Sequence, residues 1–519
     1  MVENQNTEEP KVEEQQPEQV AAESAEGEAV AETKYTGFLG KVDNYFGITK
    51  MKSTFKTEML AGLTTFMTMV YILMVNAGMF ENVAGSGLTY GAAYIFTAIG
   101  AIIGTLLMAF LAKIPFAQAP GMGLNAFFCF TVCGTLGYSY ANALLIVLCS
   151  GVLFLILTIV GARKMIVRSV PTAIRMAIPA GIGLFIAFVG LQQAGVITTD
   201  AQYINGDISS STIVLLRSFN VLSENFDGFA AMTAVVAILS LLIIAIFAKL
   251  KIKGAVLYGI VGSTLLYYIF AGIAYAVGND AAAAMFQTIR FESPLKAFAD
   301  FGTQAFGQAF VNGFKGIGGD RIFDFIATLV AFAMVDMFDT IGTLMGTCQA
   351  AGKESGLLDE TGEVKNIQKA LLCDSIATCT GAICGTSTVT TFVESSAGVA
   401  EGGRTGFTAL VVAVLFVIAM FLSPIASLIP RCATAGALLY VGVLMMGNVT
   451  NIDWKDPAAA VPAFLTISMM SFAYSISYGI AAGFISYTVI KLCTGKIKDI
   501  SPVTAILTLV FLFTFLFTH

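Results

Sequence analysis

Two aspartates and three threonines mark one face of a helix. In the run Ala331-Phe-Ala-Met-Val-Asp336-Met-Phe-Asp339-Thr340-Ile-Gly-Thr343-Leu-Met-Gly-Thr347, the polar residues recur at i, i+3, i+4, i+7 and i+11, the repeat of a single helical face. The stretch around them is apolar enough to cross a bilayer, where insertion scales put the cost of an Asp at mid-helix at about 2.5–3.5 kcal/mol. One such Asp can be explained by a hydroxyl on a neighbouring helix. Two Asp and three Thr on one stripe favour a wet cavity, where a carboxylate can accept N–H groups or exchange a proton.

Two further stretches carry chemistry because they cannot be continuous helices. Residues 385–402 read Gly-Thr-Ser-Thr-Val-Thr390-Thr391-Phe-Val393-Glu394-Ser-Ser-Ala-Gly-Val-Ala-Glu401-Gly. Its early Ser and Thr favour an extended or turning backbone. A helix is expected to start near Thr391, with Glu394 at the position of a capping box. Capping alone would account for Glu394. However, irregular backbone at membrane depth is tolerated only where protein buries it or a cavity hydrates it, so a carboxylate there favours a site. Gly402-Gly403-Arg404 then reads as a turn. Residues 116–136 open Phe-Ala-Gln118-Ala-Pro120-Gly121-Met-Gly123-Leu-Asn125-Ala126-Phe127-Phe128. Pro120, Gly121 and Gly123 delay a helix until about Leu124. That puts Asn125 in the first turn of a half-helix whose amides point into the break. Asn125 can donate and accept, and Phe127 and Phe128 offer flat apolar faces.

The combined inventory is carboxylates, an amide, hydroxyls and aromatic rings. The single His is His519, and no Lys or Arg cluster lies in these runs. Such a set suits a small, planar, uncharged, hydrogen-bonding solute better than an anion or a phosphate.

The elements that must position these residues follow from composition. Of 519 residues 56% are hydrophobic and 12% charged, with a mean hydropathy of +0.81, more apolar surface than a soluble core of this size can hide. A helix needs roughly 20 apolar residues to cross the hydrocarbon layer. Spans are expected at 57–80, 90–112, 138–161, 176–195, 226–248 and 254–277, then at 322–350, 366–384, 404–428, 432–449, 459–492 and 501–518. With 116–136 and 385–402 these make fourteen segments, seven per half, and the two odd segments are third in each half. Pro171-Thr-Ala-Ile and Pro430-Arg-Cys-Ala precede equivalent spans. An odd number per half inverts one half relative to the other, and interrupted helices at matching places point to a central site.

Loop charge gives the orientation. Lys41, Lys50, Lys52 and Lys56 put the N-terminus in the cytoplasm. Lys113, Arg163/Lys164/Arg168 and Lys249/Lys251/Lys253 fall on the same side, while the long loops 196–225 and 278–320 suit the outside. Lys491, Lys496 and Lys498 conflict with fourteen crossings unless 459–492 divides at Tyr474–Tyr478; the count of fourteen is kept. Residues 1–33, with ten Glu and one Lys, carry −9 and leave about +3 on the other 486, so 1–44 is expected to be an acidic disordered tail. It lacks the features of a cleaved signal peptide. The nine Cys are scattered without zinc-site flanks and are expected to be buried thiols. Thr64, Thr68 and Tyr71, and the pair Gly100/Gly104, are assigned to helix packing.

Ala119–Phe128, Val335–Leu344, Gly385–Gly398 with Gly402–Gly406, and Pro462-Ala-Phe-Leu-Thr466 resemble the azaguanine-like branch of the nucleobase/ascorbate transporter family, the adenine/guanine/hypoxanthine permeases. The resemblance covers roughly residues 45–518. It implies an all-α polytopic membrane protein of fourteen segments in two inverted repeats, with segments 3 and 10 half strand and half helix. The implied core domain is 45–161 with 321–429, the gate domain 162–278 with 430–519, and 279–320 an extracellular loop. It further implies import of a purine nucleobase with H+, without excluding Na+, across the plasma membrane, with no cofactor, no metal and no nucleic acid; a homodimer is left open. Asp336 and Glu394 would hold the purine's N–H edges, joined by Asn125, Ala126, Phe127, Thr340, Thr390 and Val393. Asp339, with Glu394, would couple the proton. Related uracil permeases have His where this chain has Thr340, which shifts the proton role toward Asp339.

Two other readings stand beside this one. An anion transporter of the same fold would want a basic residue at the site rather than three acids. An intramembrane magnesium-dependent prenyl transferase could use Asp336-x-x-Asp339, but it needs a second acidic motif and basic residues for the diphosphate.

Overall fold

The computed structural model describes residues 35–517 apart from 84, 162–168, 205–206, 216–226, 289–292, 317, 319–320 and 361–362. Most of the expected acidic tail, the Arg163/Lys164/Arg168 cluster and His519 lie outside the described residues.

The first half begins with α1 (Gly37–Phe46), followed by a first span in two pieces, α2 (Phe55–Met69) and α3 (Ile72–Phe80), parted at Val70–Tyr71. Next come α4 (Tyr90–Leu107, continued by wide turns to Ala112), β1 (Gln118–Pro120), α5 (Met122–Ala126, continued by wide turns to Thr135), α6 (Tyr140–Ile159) and α7 (Thr172–Gln193). The expected outer loop 196–225 carries a hairpin, β2 (Thr198–Ile204) with β3 (Asp207–Leu215). It is followed by α8 (Gly228–Lys249) and α9 (Ala255–Ala276).

The expected loop 278–320 is structured too, by α10 (Asp280–Thr288), α11 (Pro294–Asp300) and α12 (Gln308–Val311). It is pinned over the ends of α4 and α6. Thr89 Oγ1 donates to Asp300 Oδ2 at 3.0 Å, and Asn142 Nδ2 donates to the carbonyls of Gly313 and Lys315 at 2.7 and 2.9 Å.

The second half is α13 (Ile322–Ala351), α14 (Ile367–Cys384), β4 (Val389–Thr391), α15 (Ser395–Ala400), α16 (Gly406–Met420), α17 (Ser423–Ala426), α18 (Arg431–Met446), α19 (Pro457–Phe472), α20 (Ile476–Cys493) and α21 (Pro502–Phe517). Among the described residues eight helices are long and apolar enough to cross a membrane, with four shorter apolar helices beside them. The helices α7 and α18 each open directly after a proline, Pro171 and Pro430, which stands at the N-cap with extended ψ.

The expected single span 459–492 is corrected. It is a hairpin of α19 and α20 broken at Ala473–Ser475, with Tyr474 at φ +51°. The two helices run antiparallel and nearly touch: a Cβ on Gly479 would meet Met470 Cγ, and one on Gly483 would meet the Thr466 hydroxyl. A non-glycine residue forced to positive φ followed by a Ser cap stops the helix, which hydropathy alone does not register.

The helices pack in two groups. In one, α6 lies on α13 and α14, while α16 lies on α2 and α4. In the other, α7 and α18 lie against each other; α7 also packs on the α19–α20 hairpin, and α18 on α8 and α9. A large apolar cluster runs through the middle, with Phe127, Phe128, Phe185, Phe332 and Phe416 fully buried.

Candidate functional site

The two interrupted segments meet as an antiparallel pair of strands. Register runs Gln118↔Thr391, Ala119↔Thr390 and Pro120↔Val389. The pairing is extended by Gly121 N–H to Thr388 O at 3.1 Å and Phe392 N–H to Ala117 O at 3.0 Å. Each break thus supplies the other's backbone partners, the requirement for non-helical chain in an apolar interior. Pro120 and the Ser/Thr run make the backbone extended here; Gly100 and Gly104 give it room. A Cβ on Gly104 would come within 2.9 Å of Gln118 Cβ and Val389 Cγ1, so this pair receives the strands as well as packing helices. Thr105 fixes the edge, donating to Gln118 O at 2.9 Å and accepting from Gln118 N at 3.0 Å.

The polar stripe of α13 faces this crossing. Thr340 Oγ1 donates to Asp374 Oδ1 at 2.6 Å and lies 2.7 Å from Thr390 Oγ1. With the one proton of Thr340 given to the carboxylate, Thr390 is the donor in the second bond. Gln118 Nε2 reaches Thr391 Oγ1 at 3.3 Å and Asp374 Oδ1 at 3.5 Å. Asp336 is fully buried, and Thr378 donates to its Oδ2 at 3.3 Å. Asp339 stands one residue before Thr340 on the same helix. Its Oδ2 is 3.8 Å from where a Cβ on Gly121 would be, beside the opening turn of α5.

Glu394 is not spent on capping. The expected start near Thr391 is corrected: β4 runs through Thr391, α15 opens at Ser395, and Glu394 at its N-cap makes no side-chain cap bond. The carboxylate instead accepts from the Tyr71 phenol at 2.5 Å, while Thr68 Oγ1 donates to the Glu394 carbonyl at 3.4 Å. Val393 beside it is about half exposed (51%).

Asn125 joins the two breaks. Its Nδ2 donates to Pro120 O at 3.1 Å, and its oxygen accepts from the Ser387 hydroxyl. The helix α5 opens at Met122, about two residues earlier than expected. Ala126 and Phe127 are fully buried, Phe127 packing on Phe332 with ring centroids 4.7 Å apart.

The structure therefore brings Thr340 and Thr390 into contact and sets Asp339 beside Gly121. Asp336 sits against Thr378, and Asn125 bridges the two segments. Four participants are not assigned to the site by sequence reasoning: Asp374, Thr378, Gln118 and Tyr71. Asp374 and Thr378 are spaced i, i+4 within an apolar run, the same signal that exposes α13. Tyr71 belongs to a stripe that spacing assigns to packing, because its partner lies 323 positions away. Among the described residues no group of three Asp, Glu, Cys or His is placed to hold a metal ion.

Similarity to known proteins follows the same outline. The xanthine/uracil permease model, described as Permease family, matches residues 56–482. Adenine permease AdeP of Escherichia coli is 36% identical over 93% of this chain and 98% of its own. Guanine/hypoxanthine permease PbuO of Bacillus subtilis is 37% identical over 90% and 98%. Among solved structures, the transmembrane domain of the cyanobacterial bicarbonate transporter BicA aligns with a TM-score of 0.54 at 15% identity, over 82% of this chain and 97% of that one. The murine solute carrier 26 family member A9, in its inward-facing state, aligns at 0.56 and 12%, over 92% and 75%. At such identities these two show the fold alone.

Proposed function

The chain belongs to the Permease family and is a transporter, not an enzyme; on that premise we propose that it moves purine nucleobases across the cell membrane together with protons, by alternating access. The observation that carries this reading is that Asp339 beside Gly121, Asp374 bonded to Thr340, and Glu394 at the start of α15 all border two interrupted segments that pair inside the protein. Acids inside a bilayer are costly, and where they are kept they mark the path of a solute or an ion. The relatives named as adenine and guanine/hypoxanthine permeases supply the solute class.

In the proposed cycle Asp336 and Glu394 accept the purine's N–H edges, a geometry that suits a carboxylate. Thr340 and Thr390 hold the crossing in register, Val393 and Ala126 offer backbone groups, and Asn125 keeps the two breaks together. Phe127 supports the site from within the packed core. Asp339 carries the coupled proton, with Glu394 sharing the task. A membrane potential of 100 mV contributes about 2.3 kcal/mol per proton, roughly a fifty-fold accumulation.

The proposed architecture is two inverted repeats of seven. Exchanging halves exchanges contacts: α6 on α14 for α16 on α4, and α7 on α19 for α18 on α8. This favours α19 and α20 as the thirteenth and fourteenth segments, with α21 outside the repeat. Spans 1–4 with 8–11 form the core and the remaining six the gate. The hairpin also brings Asp456 and Lys491 to one end, which removes the loop-charge conflict and suits a cytoplasmic N-terminus. The bonds to Asp336, Asp374 and Glu394 described above come from hydroxyl and amide donors, an arrangement for a neutral solute rather than an anion.

The test is uptake of radiolabelled hypoxanthine, guanine, adenine and uracil into proteoliposomes, with and without an inward proton gradient. Purine uptake stimulated by the gradient is expected. Purine-independent anion flux with no purine uptake would replace this reading with that of an anion carrier.

A further inference from the structure

Among the described residues, the ion pairs Arg431–Glu81 and Lys253–Glu401 join the two packing groups at opposite ends. At one end Arg431, opening α18, reaches Glu81 just after α3, Nη2 to Oε2 3.4 Å. At the other, Lys253 just before α9 meets Glu401 just after α15, Nζ to Oε2 2.7 Å. The places are opposite because whole helices separate them. The first span runs from Thr57, whose Cγ2 is 2.8 Å from where a Cβ on Gly402 would be, to Glu81. The helix α16 likewise lies between Glu401 and Arg431 in the chain. By contrast, the pair Lys491–Asp499 ties α20 to the turn that follows it, within one group.

The surroundings of each pair are those of a closing point. Glu81 and Arg431 stand on the rim of a cleft of about 510 Å³ that also takes in Thr89, Tyr90, Tyr268 and Thr434. Tyr90 Oη donates to Ala426 O at 3.0 Å and Tyr268 Oη to Leu428 O at 2.7 Å, so both rings are held at the cleft wall. Beside Lys253, Gly254 at φ +74° lets the turn before α9 approach the Met67 backbone, ten residues along the first span from Thr57: a Cβ there would be 3.2 Å from its carbonyl oxygen.

All four charges are partly in water, with side-chain exposures of 56% and 40% for Arg431 and Glu81, and 50% and 27% for Lys253 and Glu401. Exposed pairs shift an equilibrium only by roughly two- to five-fold. That weakness suits a structure that must open at either end, since a strong pair at one end would trap it shut there.

We propose that Glu81–Arg431 and Lys253–Glu401 are opposed latches across the boundary between the moving parts, so that breaking the first favours opening at the cleft and breaking the second favours opening at the other end. The inference rests on the alternating-access reading for its use, but its geometry does not depend on which solute is carried.

The experiment is hydrogen–deuterium exchange with mass spectrometry on purified full-length protein without substrate, comparing the parent chain, Glu81→Gln and Glu401→Gln. Melting temperatures confirm that each variant is folded. Glu81→Gln is expected to speed exchange in 427–434 about two- to five-fold and to slow it in 399–405; Glu401→Gln is expected to do the reverse. The double swap Glu81→Arg with Arg431→Glu restores the parent pattern. Unchanged exchange, shifts of the same sense in both variants, or no restoration by the swap would overturn the latches. Opposed shifts in a protein that transports no purine would leave the latches standing and remove the purine reading instead.

Discussion

The Tyr71 phenol donates a 2.5 Å hydrogen bond to the Glu394 carboxylate, linking the break in the first span to the interrupted stretch 385–402. The two residues are 323 positions apart, and each sits where a helix begins: Tyr71 before α3, Glu394 before α15. A hydrogen bond to a charged group contributes about 1.5–3 kcal/mol, enough to fix the carboxylate's direction.

Tyr71→Phe removes that bond and little volume. Purine uptake is expected to show a KM raised about ten-fold or more, with the variant still folded and its melting temperature lowered by no more than a few degrees. A concentration series of hypoxanthine uptake measures it, and an unchanged KM would free Glu394 from its dependence on Tyr71.

Asp339→Asn separates binding from coupling. The amide keeps the shape of the side chain beside Gly121 but cannot carry the proton. Equilibrium binding of purine is expected to persist while gradient-driven accumulation falls to the level reached with a protonophore. Equal loss of both would reject the division of labour between Asp339 and Asp336.

Thr340→Val and Thr390→Val probe the bonds at the crossing. Each single change removes a buried bond and is expected to cost about 1–3 kcal/mol of stability. Because the two hydroxyls contact each other at 2.7 Å, the double variant should lose less than the sum. A double-mutant cycle by thermal melting in detergent decides this; strict additivity would mean that the two threonines act separately.

Gly121→Ala places a methyl 2.6 Å from Thr390 Cγ2, below any relaxed carbon contact, in the middle of the strand crossing. Overpacking of this kind costs about 1–3 kcal/mol, and uptake should fall with it. Thr390→Ser in the same chain removes the clashing methyl and should recover part of the melting temperature. Failure of that rescue would show that the glycine is needed for another reason.

Glu58→Ala tests a buried carboxylate distant from the solute. Its oxygens accept from Arg404 N, Thr405 N, Thr405 Oγ1 and Thr408 Oγ1 at 3.0, 3.3, 2.9 and 2.5 Å, closing the start of α16. The variant is expected to lose several degrees of melting temperature, as donors are left buried without their acceptor. Uptake per folded molecule should hold.

Much of this protein is legible in its amino-acid sequence. Membrane spans follow from apolar runs longer than a core helix needs, and the stripe on α13 follows from helical spacing, because both signals are local. The interruptions at 116–136 and 385–402 are visible for the same reason: Pro120, Gly121 and the Ser/Thr run bias the backbone whatever surrounds them. Legible too are Asp336, Asp339 and Glu394, since a carboxylate in an apolar run stands out by its cost. The break at Tyr474 leaves a fainter trace, and hydropathy reads 459–492 as one span, since a short turn between two apolar helices scarcely lowers it.

What only the tertiary structure decides is which of these groups face one another. That Thr340 gives its proton to Asp374, that Tyr71 rather than a helix end holds Glu394, and that Asn125 is turned to Ser387 and Pro120 are facts of packing between segments remote in the chain. Sequence spacing fixes the face on which a side chain lies. A hydrogen bond across two helices needs both faces rotated and slid to within about 3 Å, and that is set by how glycines such as Gly104 and Gly121 let the pieces close.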